Sequence, residues 1–173
     1  MTAELKVMSL DARAIERDPD AARAAVAARD ADVVAIIEAP RYQRWRSKRA
    51  KLARQLGMVV ATADRPGGLF VVTSLRVDVI DTSFTMSSSS AGTSPAVVIA
   101  TIELRGARWR VVVAARGGAP DIPDSDVPHV VIGGPGSIGI SPSLTVVSCD
   151  PVELPGGSER EATFAVVRQE EVD

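Results

Sequence analysis

The stretch from Leu5 to Pro40, LKVMSLDARAIERDPDAARAAVAARDADVVAIIEAP, decides the fold. It opens with a mostly apolar segment that predicts a strand. An alanine-rich helix follows, for which Asp18 is a suitable N-cap and Pro19 a suitable first residue. The run from Val33 to Ile37 has no polar residue, which is typical of a strand buried on both faces. Because Glu38 comes directly after it, the stretch predicts strand, helix, strand, with a carboxylate at the end of the second strand.

The rest of the chain predicts one more helix and then almost only strands. Residues 41–56 are predicted as a helix that Gly57 closes. Valine-rich runs such as FVVT, AVVIA and RVVVAA follow, and β-branched residues favour strands. The polar run TMSSSSAGTSP at residues 85–95 is predicted to be a flexible loop. The first third is therefore α/β, and the remainder from Met58 onward is predicted to be nearly all β.

Length and charge set broad limits on the class of protein. The chain has 173 residues, of which 46% are hydrophobic and only 3% aromatic, so one domain with an aliphatic core is expected. The formal net charge of −2 provides no overall field that would attract nucleic acid or membrane. The opening MTAELKVMSL does not resemble a secretion signal, and no apolar run reaches membrane-spanning length. A cytoplasmic protein, or one assembled into a particle, is the expectation.

Several patches, in order, resemble the endonuclease/exonuclease/phosphatase superfamily, particularly its actinobacterial members. LKVMSLDAR is similar to the family's first strand, and Asp11 stands where that strand ends in a residue that helps to bind metal. DADVVAIIEAP is similar to the metal-binding strand, and Glu38 stands at the metal-binding glutamate. SPSLTVVSC and SEREATFAVV resemble the last two strands. The resemblance implies an α+β fold: a β-sandwich of two mostly antiparallel sheets, in one truncated, degenerate domain over residues 1–173, with helices kept only in the N-terminal half.

The remaining motifs of the family are not found in this sequence. Ala115 stands where a strand should end in histidine. Gly134 and Gly136 stand in the stretch where a Gly-Asp-x-Asn motif should lie, and Glu159 and Arg160 replace a closing Asp-His pair. The chain has no asparagine, and its one histidine, His129, begins a predicted strand. Because phosphoester hydrolysis needs a preorganised polar site, these departures predict that the chain is not an enzyme and has no cofactor.

Two functional interpretations follow. The leading one is a non-catalytic structural or protein-interaction domain on a decayed phosphoesterase scaffold. It would be a subunit of a larger assembly, for example a phage capsid decoration protein or another virion protein. The alternative is a residual Mg²⁺-dependent phosphodiesterase or nuclease that uses Glu38 and Asp11, since both offer the hard oxygen ligands that Mg²⁺ prefers. In the first case the two acids are only inherited, solvated strand-end residues.

Two surfaces are candidates for binding a partner. Strands of the second sheet are rich in valine and isoleucine on both alternations, and the resemblance implies that its outer face has lost its helices. An apolar patch of that kind would bind a protein partner or a second copy. The second surface is a basic one on the predicted helix, formed by Arg41, Arg44, Lys48 and Lys51. We interpret it as the solvated face of an amphipathic helix, and nucleic acid is not the expected partner.

Overall fold

A computed structural model describes residues 3–40, 43–62, 68–89, 92–114, 126–133, 138–155 and 162–169. The first part of the chain alternates strands and helices: β1 (Ala3–Asp11), α1 (Ala12–Arg17), α2 (Pro19–Ala28), β2 (Val33–Ile37), α3 (Trp45–Leu56), β3 (Val59–Val60) and β4 (Phe70–Thr73). Strands alone follow in the later described ranges: β5 (Asp78–Ser89), β6 (Gly92–Leu104), β7 (Ala107–Ala114), β8 (His129–Ile132), β9 (Ile138–Ile140), β10 (Leu144–Pro151) and β11 (Ala162–Gln169).

The strands form two sheets. The first has the order β10-β11-β1-β2-β4-β3, and the second has the order β5-β6-β7-β8-β9. β1 pairs with β2 in parallel, as β7 does with β8, and the other pairs are antiparallel. The predicted α+β sandwich of mostly antiparallel sheets is therefore confirmed, and the helices in the described ranges all lie in the N-terminal third.

The middle of the first sheet is buried on both faces because β2 and β4 are apolar on both alternations, whereas its edge strands β10 and β3 are largely exposed. One face packs against the second sheet through a core that includes Leu5, Val7 and Trp109. The other face packs against the three helices through Met8, Leu10 and further aliphatic side chains. None of the helices in the described ranges is long and apolar enough to cross a membrane.

Two of the predicted element boundaries are wrong. The short helix α1 was not predicted; it forms because Asp11 caps it and accepts a hydrogen bond from the Arg13 N–H at 2.9 Å. α3 begins at Trp45, later than predicted, because Gln43 and Arg44 have the positive φ angles of a left-handed backbone, which a helix cannot contain. Its C-terminal end is as predicted, with Gly57 at a φ of 74°.

The predicted flexible loop at residues 85–95 is also wrong. The backbone of β5 continues to Ser89, and β6 begins at Gly92, so the two strands form a long hairpin. Their pairing runs from Asp78 opposite Glu103 to Ser89 opposite Gly92. Because the strand preference of a segment depends on its neighbours, pairing with β6 holds this serine-rich run in a strand although its own sequence resembles a loop.

The expected exposed apolar patch is not found on the described outer face of the second sheet. Val97, Ile99, Val112 and Ala114 on that face are 0–7% exposed and form a buried cluster of their own. The other end of the face is polar and carries the ion pair of Arg108 with Glu103, 3.4 Å apart. The exposed large apolar side chains among the described residues of this sheet are Val79 and Ile80 of β5. The association of the sheet with a protein partner or a second copy stays a prediction.

A charged network joins the start of β2 to the turn after β4. Asp32, only 4% exposed, accepts a hydrogen bond from the Lys6 N–H at 2.9 Å and from Arg76 Nε at 2.6 Å. Arg76 Nη1 lies 2.7 Å from Asp30 Oδ1, and Lys6 Nζ lies 3.2 Å from the other oxygen of Asp30. The hydrogen bond from Arg76, and then that from Lys6, lowers the pKa of Asp30 from its ordinary value of 3.8.

This network predicts a loss of stability in acid. A carboxyl whose pKa is lower in the folded than in the unfolded state stabilises the fold at pH values above its unfolded pKa. That contribution is lost as the pH falls below 3.8 and through the lower folded-state pKa of Asp30. We expect Asp30→Asn to unfold at lower urea concentration than the native protein at pH 7 and the two midpoints to converge as the pH drops below about 4. A constant difference between the two midpoints down to the lowest pH would contradict the role of this carboxylate.

Candidate functional site

Two acidic residues lie at one end of the first sheet. Asp11 is the last residue of β1, and in the parallel register it lies opposite Ile37, the last residue of β2. Glu38 follows Ile37 directly, so the two carboxylates sit at the carboxyl ends of neighbouring parallel strands. Asp11 is 7% exposed, and the side chain of Glu38 is 35% exposed. The structure therefore brings together both predicted metal-site positions.

The backbone at this end of the sheet is strained. Glu38 has a φ of 54°, a left-handed conformation that non-glycine residues rarely adopt. Gln43 and Arg44, in the connection to α3, also have positive φ, so three of the five non-glycine residues of this kind in the described ranges lie between β2 and α3. Such strain costs about 1–3 kcal/mol per residue and is concentrated at functional sites. It directs the Glu38 side chain away from the path of the strand.

Arg13 links the two acids. Its backbone N–H donates to Asp11 Oδ1 at 2.9 Å, and its guanidinium Nη2 lies 3.5 Å from Glu38 Oε2. The Arg13 side chain is 73% exposed, so its ion pair with Glu38 contributes at most about 1 kcal/mol. This guanidinium can therefore leave Glu38 for an anion at small cost. Arg13 was missed in the sequence analysis, because an exposed arginine in a short helix has no distinguishing pattern.

Ser9 lies beneath the acid pair and was also missed. Side chains of β1 alternate, so Ser9 belongs to the row of Val7 and Asp11, on the face turned toward the second sheet. Its hydroxyl is fully buried and has no hydrogen-bond partner among the described residues. On the neighbouring strand β11 it faces Thr163, which is 4% exposed. A small polar residue within an apolar strand is the only signal that could have revealed this hydroxyl.

The acids fit a hard divalent cation with an incomplete protein ligand set. Carboxylate oxygens are the ligands that Mg²⁺ prefers, and Mg²⁺ commonly binds one or two carboxylates while keeping several waters or substrate phosphates. No group of three or more His, Cys, Asp or Glu residues that could hold a metal occurs in the ranges that the structure covers. Asp11 and Glu38 would therefore hold such an ion together with water and substrate, not in a closed protein cage.

The other predicted site positions lie elsewhere or cannot be located. The positions of the missing family motifs fall outside the described residues; they are Ala115, Gly134, Gly136, Glu159 and Arg160. Arg41 of the basic surface also falls outside them. The only histidine, His129, is the first residue of β8, where its backbone N–H donates to Ser141 Oγ at 3.2 Å. Arg44, Lys48 and Lys51 are exposed at the start of α3 and along it.

Comparisons with known proteins find the fold but no close relative in sequence. No protein-family model matches the chain, and no curated protein matches it in sequence. Among solved structures, it is similar to an endonuclease/exonuclease/phosphatase family protein from Bacteroides thetaiotaomicron, with a TM-score of 0.69 and 9% identity over 99% of this chain and 100% of that one. It is also similar to the B. thetaiotaomicron mannosyl-6-phosphatase Bt3783, with a TM-score of 0.64 and 11% identity over 94% and 98% of the two chains. The human Nocturnin catalytic domain gives a TM-score of 0.62 and 10% identity over 96% of each.

These similarities correct one prediction and leave others open. The prediction that the chain is not an enzyme is wrong on this comparison, because proteins that share the fold over nearly their whole length are enzymes, a phosphatase and a nocturnin catalytic domain among them. Nothing in them supports a virion role, an actinobacterial type or a truncation. The resemblance read from the sequence is confirmed at the level of architecture: the chain has the fold of the endonuclease/exonuclease/phosphatase family.

Proposed function

We propose that this chain is a divalent-metal-dependent phosphoesterase whose reaction centre lies at Asp11 and Glu38. One observation carries the proposal: the two acids lie at the ends of neighbouring parallel strands, both contact Arg13, and Glu38 has a strained backbone conformation. The shared architecture with a mannosyl-6-phosphatase supports a phosphate ester as the substrate class. The interpretation that this pair is merely inherited gives no reason for keeping the strain at Glu38.

In this proposal Asp11 and Glu38 would hold the metal, and Arg13 would bind the phosphate. Asp11 is held by its cap bond to the Arg13 N–H, and Glu38 has its backbone in a left-handed conformation directly after β2. A divalent cation bound by them would supply positive charge against the phosphoryl oxygens. The exposed guanidinium of Arg13 can pair with the same phosphate, because charged hydrogen bonds to phosphate are stronger than its long contact with Glu38.

Proton transfer is the weak part of this site. His129 begins β8, and the structure gives it no contact with Asp11 or Glu38. General acid–base catalysis by a positioned side chain typically contributes 10²–10⁴-fold, roughly, so a site that leaves this step to solvent should turn over slowly. We therefore expect a preference for esters with good leaving groups, such as nitrophenyl phosphates, over alkyl phosphates.

The metal dependence of hydrolysis tests the proposal. With bis(4-nitrophenyl) phosphate and 4-nitrophenyl phosphate as substrates, we expect release of nitrophenolate that rises with millimolar Mg²⁺ or Mn²⁺. Chelation by EDTA should remove the activity and excess Mg²⁺ should restore it, since metal affinity rests on only two carboxylates. Activity should follow the protein through a final size-exclusion column.

The proposal fails if both esters are hydrolysed no faster than in buffer with metal alone. It also fails if the rate is the same in EDTA and in Mg²⁺, because the two carboxylates would then have no ion to hold. Circular dichroism of the same preparation shows that an inactive sample is folded.

A further inference from the structure

Charge is unevenly distributed along this chain. Residues 43–62 contain six of the 20 lysines and arginines and no aspartate or glutamate. The rest of the chain therefore has 14 basic against 22 acidic residues, a formal charge of −8. The small net charge of the whole protein is therefore the sum of a basic segment around α3 and a net acidic remainder of the chain. An anionic ligand would be repelled from most of the surface and attracted to one side.

The cations of this segment face solvent. We call the following set the basic face of α3: Arg44, Arg46, Lys48, Lys51 and Arg54. Arg44, Lys48 and Lys51 are spaced four and three residues apart, which places them on one side over roughly 10 Å of helix. None of these three forms an ion pair with a carboxylate of the described chain. Lys48 and Lys51 flank a groove of about 300 Å³ between α1 and α3, with Glu16 as its acidic member.

The helix is held rigidly in this orientation. Arg49, the sixth cation, is 4% exposed, and its guanidinium carbon lies 5.0 Å from the ring centre of Trp45 and 4.9 Å from that of Phe70. Leu52 and Leu56 are buried against the first sheet. Because the inward face of α3 is fixed by stacking and apolar burial, binding does not have to order the helix backbone, and only the exposed basic side chains lose freedom.

We propose that the basic face of α3 binds the phosphate backbone of a nucleic acid. A membrane surface is a poorer ligand, because the exposed non-basic residues of the helix are Ser47 and Ala50. Trp45, the largest apolar side chain of the helix, is partly buried against Arg46 and Arg49. An acidic protein is also poorer, because protein interfaces depend on buried aromatic and apolar anchors that this face does not expose. Backbone recognition of nucleic acid needs only exposed cations on a firm support.

The surface is separate from the proposed reaction centre. The basic face of α3 includes neither Asp11 nor Glu38, so binding requires neither these carboxylates nor a metal. The inference therefore stands whether or not the chain hydrolyses phosphate esters. It replaces the interpretation of this helix as a merely solvated face, because an ordinary solvated face mixes charges of both signs.

Fluorescence anisotropy in EDTA tests this binding directly. The probe is a fluorescein-labelled 20-nucleotide oligothymidylate, titrated with native protein over a series of salt concentrations. We expect saturable binding that weakens steeply with salt. The logarithm of the binding constant should fall with the logarithm of the salt concentration, with a slope of about 0.7 for each phosphate contact. Lys48→Gln with Lys51→Gln should weaken binding about tenfold at low salt and reduce the slope by about 1.4. Glutamine keeps helix propensity, so the fold of α3 should be unaffected.

The matched control removes two exposed cations from the far side of the molecule, Arg105→Gln with Arg108→Gln. It should bind within about twofold of the native protein, because those residues lie in the second sheet and its hairpin turn. Glu38→Gln should bind as the native protein does, even if it hydrolyses nothing. The proposal is overturned if the control pair weakens binding as much as the lysine pair does, or if the native protein does not bind at low salt. It is also overturned if polyglutamate displaces the probe as effectively as unlabelled oligothymidylate does.

Discussion

Glu38→Gln is expected to reduce the metal-stimulated rate of phosphoester hydrolysis by about 100-fold or more. Glutamine keeps the shape of the side chain and the left-handed backbone but removes the charge that would hold a cation. Of the two candidate ligands, Asp11 is already engaged by the Arg13 N–H, so Glu38 supplies the more available carboxylate. A hundredfold loss corresponds to about 2.7 kcal/mol, within the several kcal/mol that a metal contributes to phosphoryl transfer. Initial rates at saturating Mg²⁺, together with thermal unfolding of both proteins, measure the effect.

Glu4→Gln is the matched control for this variant. Glu4 lies at the opposite end of β1, where its carboxylate accepts hydrogen bonds from Arg168 at 2.6 and 3.1 Å, and its side-chain exposure of 40% is close to that of Glu38. Each substitution therefore removes a half-exposed carboxylate that forms an ion pair with an arginine side chain. If the two variants lost activity equally, the effect would come from stability or net charge, and Glu38 would have no special part in the reaction.

The sequence predicted the elements whose signals are local. The apolar run before Glu38, the Asp18-Pro19 start of α2 and Gly57 at the end of α3 each depend on a few neighbouring residues, and all three are found in the structure. The failures occur where distant parts of the chain decide. The serine-rich run ending at Ser89 is a strand because β6 pairs with it, and no pattern within that run indicates the pairing.

The candidate site was predicted only in part, for a similar reason. Asp11 and Glu38 were found because each directly follows an apolar run, and the resemblance gave them a role. Arg13 and Ser9 were missed because their importance comes from position. Arg13 reaches Glu38 across 25 residues of sequence, and Ser9 is notable only once its hydroxyl is known to be buried without a partner. The absence of asparagine and the single histidine, which suggested lost chemistry, describe composition and cannot exclude a site built from other residues.

Trp109→Ala is expected to lower the free energy of unfolding by about 4 kcal/mol, the largest stability effect we predict. Trp109 is the largest of the fully buried side chains in the described residues. It lies in the core between the sheets, opposite Ile102 in the β6–β7 pairing. With only 3% aromatic residues, this core is almost wholly aliphatic, and Phe84 of β5, the other described ring that packs against it, is only partly buried. Because domains are stable by only about 5–15 kcal/mol, the variant should unfold at a much lower urea concentration.

Trp109→Phe separates packing from hydrogen bonding at the same position. The indole N–H of Trp109 is buried and has no partner among the described residues, and a buried donor of that kind costs about 1–3 kcal/mol. Phenylalanine removes this donor while filling most of the volume, so the two effects oppose each other and we expect a change below about 1.5 kcal/mol. A loss as large as that of Trp109→Ala would mean that the N–H has a partner, such as a buried water, and that the two sheets are joined by a polar contact as well as by apolar packing.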